Sequence, residues 1–373
     1  MDVRNTTIRC SSTQLRNPEA LAVRIGLDLA RCVRFWQTVR RSKVDLRCHS
    51  LLCITRHILR QKEREPHHDI MGDISPQIIL PSPNSANAAE QAVWTGQAFV
   101  VGTATERILS YPVRDSGWND GIARFHRQEA ASDHFIDIAS RAHAMKEVKR
   151  PVALTPSVIL EIGCAAGHFL RELLQQLPGH VIIGSDYTLD TLQEVGSNIP
   201  SVPLLRFDLS QCPLPDDFAD VAILLDVLEH IEDDEGAVAH LSRILRPGGV
   251  AIIEVPAKAA LFDIYDRVLM HFRRYDMHRL TRLLRKAGFT IERHSHLGFF
   301  LFPAFYVSKR LNQLRYPARP GVDEMRIVSK MISTTRSSSL MRYVMVAESA
   351  LREHVYLPVA IRCLVTCQKL GNL

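Results

Sequence analysis

Several features that would fix a protein's class at once are missing from this sequence. No two cysteines have C-x-x-C spacing; Cys10, Cys32, Cys48, Cys53, Cys164, Cys212, Cys363 and Cys367 are scattered through 373 residues. Without paired ligand spacing or a short secreted chain, neither a zinc site nor a disulfide framework is expected, and free thiols are. No apolar run approaches the ~20 residues that cross a bilayer. No apolar segment ending in a small-residue cleavage site opens the chain. Aromatics make up only 7% of residues, and no stripe of cations interleaved with aromatics marks a nucleic-acid face, so no nucleic-acid partner is expected. There is no internal repeat and no long low-complexity tract.

What is present is the balance of a packed protein, 46% apolar and 23% charged, as in soluble domains and unlike disordered chains. The net charge of +6 is uneven: residues 1–70 hold 14 Lys and Arg against 7 Asp and Glu, and residues 71–373 hold 32 against 33. Asp2, Glu19 and Asp28 argue against an organelle-targeting leader, which avoids acids. Residues 1–72 are therefore read as a basic extension without fixed structure, and the location as cytoplasmic. Residues 73–150, with Pro76, Pro81 and Pro83, read as linker followed by N-terminal helices, the last running from about Phe125 to Val148.

From Val158 onward, short apolar runs alternate with amphipathic segments: VILEIG, a helix from Gly167 to Leu177, HVIIGSD, a helix near Leu189 to Val195, VPLLRFD, VAILLDVL, a helix from Asp233 to Leu245, and GVAIIEVP. Continuous β-branched runs separated by helices predict a parallel sheet covered on both faces, a doubly wound α/β fold. The core is expected over 151–297. MHRLTRLLRKAGF follows as a helix with Leu280, Leu283 and Leu284 inward and Gly288 as its left-handed stop. Residues 298–358 form a helical cap insertion, and 359–373 a last strand.

In VILEIGCAAGHF a strand runs into a turn containing Gly163 and Gly167 and then into a helix. Glycine serves where backbone must approach a ligand, and free N–H groups at a helix start suit an anionic group. A dinucleotide fingerprint needs G-x-G-x-x-G; this chain has G-C-A-A-G-H with Glu161 two residues before the first glycine, which disfavours NAD. Acids recur at consecutive strand ends: Asp186, Asp208, and Asp226 with Glu229. Singly, each is more often a turn or helix cap; their order is the signal. An acid after the second strand can accept both hydroxyls of a ribose, and one after the third can accept from an adenine amino group.

EIGCAAG (Glu161 to Gly167), DVLEHI (Asp226 to Ile231) and ILRPGG (Ile244 to Gly249) together resemble the class I S-adenosylmethionine-dependent methyltransferases, well over Val158 to Phe289 and more loosely to the end. The resemblance implies a seven-stranded, mostly parallel sheet of order 3-2-1-4-5-7-6 with a helical insertion before the last strand, and S-adenosyl-L-methionine as cofactor. It implies that Glu161, Gly163, Ala165 and Gly167 hold the amino-acid end of the cofactor, Asp186 with Tyr187 its ribose and Asp208 with Leu209 its adenine, with Asp226 also at the cofactor. Ala165 stands where the family often has glycine.

His230 and His271 are the candidate catalytic residues, His230 as a base for a hydroxyl acceptor. The competing reading is that His230 merely caps the helix beginning at Asp233. HFRRY (His271 to Tyr275) resembles an H-x-R-R-Y motif of sugar-, lipid- and quinone-pathway relatives, which makes Arg273, Arg274 and Tyr275 candidate acceptor-binding residues; a solvated basic helix start is the plainer alternative. The acceptor is expected to be small or lipid-linked, methylated at oxygen. The apolar segment LGFFLFPAFYV with Lys309 and Arg310 suggests peripheral membrane contact through 297–310, against core packing as the alternative. An NAD-dependent oxidoreductase and a non-catalytic methyltransferase-like binding protein are the rival functions. No metal is expected, and the oligomeric state is not legible.

Overall fold

The computed structural model describes residues 77–83, 90–114, 134–152, 155–317, 323–335, 339–352 and 355–371. All of them lie in one compact unit, Ile74–Leu373. The basic extension, with Cys10, Cys32, Cys48 and Cys53, lies outside the described residues.

The main sheet is built from β5 (Ile108–Ser110), β6 (Val158–Ile162), β7 (Val181–Asp186), β8 (Leu204–Arg206), β9 (Ala219–Leu225), β10 (Leu245–Pro256), β11 (Phe289–Leu297) and β12 (Arg362–Lys369). They lie in the order β11-β12-β10-β9-β6-β7-β8-β5. Pairing is parallel from β5 through β10, and β12 is antiparallel to both β10 and β11. The sheet thus has eight strands rather than the expected seven. The eighth, β5, adds beside β8 through Ile108↔Leu204 and Leu109↔Leu205. Three residues are too few to announce a strand by their pattern.

Between the strands run α1 (Phe135–Val148), α2 (His168–Gln176), α3 (Leu189–Asn198), α4 (Asp234–Ile244), α5 (Ile264–Val268) and α6 (Met277–Lys286). Along β6 every side chain is buried, and alternate residues enter different cores. Val158, Leu160 and Ile162 join Leu241 of α4 and Leu284 of α6, whereas Ile159 joins Met145 of α1, Leu173 of α2 and Val195 of α3. Period-two alternation with apolar residues on both sides is what a strand sandwiched between helical layers requires. Gly288 takes φ +88 after α6, the left-handed stop expected there.

The segment read as linker instead holds a small antiparallel sheet, β1 (Ile79–Pro81), β2 (Gln91–Trp94), β3 (Phe99–Val101) and β4 (Ala104–Glu106), in sequential order. The Tyr111 hydroxyl donates to the Pro81 carbonyl at 2.7 Å, and the Arg107 guanidinium donates to the carbonyls of Ile199 and Val202 at 3.0 Å. The first bond ties β1 to the segment after β5, and the other two tie the β4–β5 connection to the end of α3.

After β11 come α7 (Phe302–Arg315), α8 (Glu324–Thr335) and α9 (Ser339–Leu351). Pro303 sits in the first turn of α7, where its missing N–H costs nothing. Leu297 is buried and Leu301 packs against its cluster, whereas Phe300, Tyr306 and Val307 are exposed, so the segment is packed at its start and open beyond it. Lys309, read as a surface cation, is buried between Asp263 and Asp266. Among the described residues, no helix is long and apolar enough to cross a membrane.

Candidate functional site

A cavity of about 940 Å³ opens at the carboxyl ends of the central strands, where parallel α/β sheets place ligands. One end of it is backbone. β6 passes into a turn in which Gly163 has φ +77, Ala165 φ +43 and Gly167 φ +70. A Cβ on Gly163 would lie 2.5 Å from Val227 Cγ2, so only glycine fits. Ala165 holds a left-handed conformation that costs an L-residue about 1–2 kcal/mol. Gly167 does not line the cavity; a Cβ there would press on Val195 and Ile199 at 3.1–3.2 Å. Its task is the turn and the seating of α2 on α3, which corrects its expected contact with the cofactor.

The acids stand around this turn. Glu161 is buried, its Oε2 has no hydrogen-bond partner, and burial, reinforced by Asp186, holds its carboxyl well above the ordinary pKa. Asp186 accepts from the Ala165 N–H at 3.1 Å and from the Thr188 N–H and hydroxyl at 2.9 Å, so it locks the turn as it faces the cavity. Asp208 accepts from Ser210 N and Oγ, both on Oδ1. Tyr187 and Leu209 also line the cavity. An orphaned buried carboxylate oxygen beside a cradle closed to Cβ atoms fits the ammonium and backbone-like end of an aminoacyl nucleoside.

Asp226, at φ +54, pairs with Arg362 at 2.6 Å. Enclosure lifts its pKa to about 7 against the pull of that guanidinium. Arg362 also pairs with Glu254 and, at 3.0 Å, with Asp137. It is a cavity residue that sequence reasoning missed, and its one signal is an arginine leading a strand whose next five residues are buried.

The other end of the cavity is an ion network. His230 and His271 stand edge to face, ring centroids 4.6 Å apart. The helix cap is Asp233, whose Oδ1 accepts from Gly236 N at 2.9 Å, so capping is not the task of His230. His271 Nδ1 bonds Asp266 Oδ1 at 2.9 Å. Asp266 also takes Arg274 Nη1 at 2.8 Å and Lys309 Nζ at 3.0 Å. Burial works to raise the Asp266 pKa, but Lys309, His271 and Arg274 more than offset it, and the carboxyl lies well below its ordinary range. Burial lowers the pKa of His271, favouring the neutral ring.

Of the HFRRY motif, His271 and Arg274 reach the cavity, whereas Arg273 and Tyr275 do not. Arg273 pairs with Asp234 at 2.8 Å. Tyr275 is fully buried with its hydroxyl donating to Asp234 at 2.9 Å. Both anchor this loop to α4 and are withdrawn as acceptor contacts. Asp263, Asp266 and Asn312 went unnoticed in the sequence, and Lys309 was read only as a surface cation, because α5 and α7 meet only in the fold.

Set against known proteins, residues 127–294 match a family model described as a methyltransferase domain. A probable S-adenosylmethionine-dependent methyltransferase of Mycolicibacterium smegmatis is 35% identical over 144 residues, 38% of this chain and 54% of the relative. One of Mycobacterium tuberculosis is 29% identical over 151 residues, 40% and 54% of the two chains. The chain thus spans about half the length of the curated relatives it matches. Among solved structures, a Haemonchus contortus phosphoethanolamine N-methyltransferase with S-adenosylhomocysteine is similar at TM-score 0.45 and 14% identity, over 69% of this chain and 59% of that one. Residues 127–294 are thus similar to methyltransferase domains, and the relatives that match them are described as S-adenosylmethionine-dependent.

Proposed function

We propose that the whole protein is an S-adenosylmethionine-dependent methyltransferase acting on a small or lipid-linked acceptor at oxygen. The observation that carries the reading is the left-handed turn at Gly163 and Ala165 closed by three acids at successive strand ends, with Glu161 buried and one oxygen unsatisfied. Glu161 holds the cofactor's ammonium, the Gly163–Ala165 backbone its aminoacyl chain, Asp186 with Tyr187 its ribose, and Asp208 with Leu209 its adenine. Asp226, fixed by Arg362, sits between the cofactor and the acceptor.

S-adenosyl-L-methionine supplies an electrophilic methyl on a sulfonium, so the protein's task is alignment and exclusion of water rather than covalent chemistry. His230 and His271 stand at the acceptor end, beside the oxygen to be methylated. Phe305, Ser308 and Asn312 of α7 line the same end, while Tyr306 and Val307 of that helix are exposed. An apolar outer face beside the acceptor end supports an amphipathic acceptor and contact of 297–310 with a membrane surface, made by these apolar residues and not by Lys309. Labelled S-adenosylmethionine incubated with the protein and an extract of its own cells tests the function. A labelled product absent with Gly163→Val supports it; no transfer to any component speaks for the binding-protein alternative. Sedimentation with anionic vesicles, wild type against Val307→Ser, tests the membrane contact, and a wild type left in the supernatant would remove it.

A further inference from the structure

Glu229 lines the cavity but neither closes the Gly163 turn nor joins the ion network around Asp266. Its side chain is completely buried, and neither carboxylate oxygen has a hydrogen-bond partner. A carboxylate withdrawn from water without a partner is costly, and the remedy is a proton or a cation. The guanidinium groups whose charge reaches it, Arg362 and Arg274, are committed elsewhere: Arg362 to Asp226, Glu254 and Asp137, and Arg274 to Asp266. Lys309 is taken up by Asp263 and Asp266.

What surrounds Glu229 instead is imidazole. Glu229, His230 and His271 each offer one ligand atom, and these atoms all lie within 4.8 Å of one another. The backbone holds the grouping in place, because the Phe272 N–H donates to the Glu229 carbonyl at 2.8 Å. Met270, at φ +57, turns the chain sharply just before His271. The ring of His271 is aimed by its Nδ1 bond to Asp266 at 2.9 Å, which leaves Nε2 for the shared centre. A carboxylate on the far nitrogen is the usual support of a metal-binding histidine, and Asp266 is itself fixed by Arg274 and Lys309.

We propose that Glu229, His230 and His271 bind a divalent transition-metal ion, with Asp266 orienting His271, and that the ion's remaining positions face the cavity and take an oxygen of the methyl acceptor. Two imidazoles and one carboxylate suit manganese, iron, cobalt or zinc. Three protein ligands with open positions mark a site that handles a substrate rather than one that staples a fold. The acceptor part rests on the methyltransferase reading; the metal part stands without it. A hydroxyl on the ion gives up its proton more readily. The new O–C bond then forms as the S–C bond breaks, the sulfonium keeps the bonding pair and becomes a neutral thioether, and the hydroxyl proton passes to water. The expectation of no metal gives way here because Glu229 and His230 are separated in sequence from His271, with no short ligand spacing to reveal them.

The test is titration of the full chain, freed of metal by a chelator, with Co²⁺ in the absence of cofactor, followed by visible absorption. One equivalent is expected to bind with nitrogen and oxygen coordination, and affinity is expected to fall at least tenfold in Glu229→Gln and in His271→Ala. Glu229→Gln preserves volume and reports even if His271→Ala unfolds. Absence of Co²⁺ binding, binding unchanged in Glu229→Gln, or absorption from thiolate coordination would overturn the proposal. S-adenosylhomocysteine binding measured on the same samples separates the two readings. Nucleoside binding without Co²⁺ binding overturns the metal site and spares the methyltransferase reading; Co²⁺ binding without nucleoside does the reverse.

Discussion

At the cofactor end of the cavity, the groups that matter come from short contiguous turns: Glu161, Gly163 and Ala165 in one, Asp186 and Thr188 in the next, Asp208 and Ser210 in a third. Asp186 and Asp208 are each held by a donor two residues along, Asp186 also by the backbone of the neighbouring turn, whereas Glu161 keeps one oxygen unpaired. At the acceptor end, Asp266, His271, Arg274 and Lys309 come from three separate elements and are held by ion pairs between side chains. A site made of backbone is rigid and tolerates changes elsewhere, while a site made of side chains can be respecified one substitution at a time. The difference teaches that the two ends of the cavity, proposed above for cofactor and acceptor, are held by different means and can vary separately.

The largest expected effect therefore lies at the acceptor end. Replacing Lys309 by Ala leaves Asp263 and Asp266 buried without their ammonium, and breaking a buried pair from one side costs about 3–5 kcal/mol. Denaturant unfolding should show a loss of that size, and one under 1 kcal/mol would mean that Arg274 and Asn312 suffice. At the cofactor end, Asp186→Ala should cost about 1.5–3 kcal/mol of affinity, as for a hydrogen bond to a charged group. Analogues lacking ribose hydroxyls should then bind the variant and wild type alike; continued discrimination by the variant would take the ribose away from Asp186.

Glu161 sharpens the contrast through pH. In the free protein its pKa is raised by burial, and pairing with an ammonium lowers it, so binding releases a proton and affinity rises with pH. Between the bound and free pKa values the rise approaches tenfold per pH unit, about 1.4 kcal/mol. Calorimetry in buffers of different ionisation enthalpy should reveal the released proton, and a buffer-independent enthalpy would show that Glu161 keeps its state. The smallest effect belongs to neither end. Lys286 and Glu235 are paired at 2.5 Å, with side chains 68% and 62% exposed, and Lys286→Ala should change stability by less than about 1 kcal/mol.

The same contrast governs what could be read without coordinates. Strands β6 to β10 and the acids at their ends were legible because a buried parallel strand is a continuous apolar run and its ligand-binding turn follows at once in sequence. Strands β1 to β5 were not, since runs of three or four residues in a proline-rich stretch carry no period. Arg273 and Tyr275 misled because a motif fixes neighbourhood but not direction: their partner Asp234 draws them toward α4 while His271 and Arg274 turn inward. Arg362, Asp266 and the buried pairing of Lys309 were invisible because each is defined by a partner far away in the chain.

The central claim, that the Gly163 turn is the cofactor site, is tested most directly by titrating wild type and Gly163→Val with S-adenosylhomocysteine and with NADH in a calorimeter. A valine there meets Val227 at 2.5 Å from its Cβ in a left-handed backbone. The account predicts saturable one-to-one binding of S-adenosylhomocysteine by the wild type, no binding of NADH, and loss of at least a hundredfold in affinity in a variant that still melts cooperatively. Equal affinity in the two proteins, or binding of NADH in place of S-adenosylhomocysteine, would contradict it.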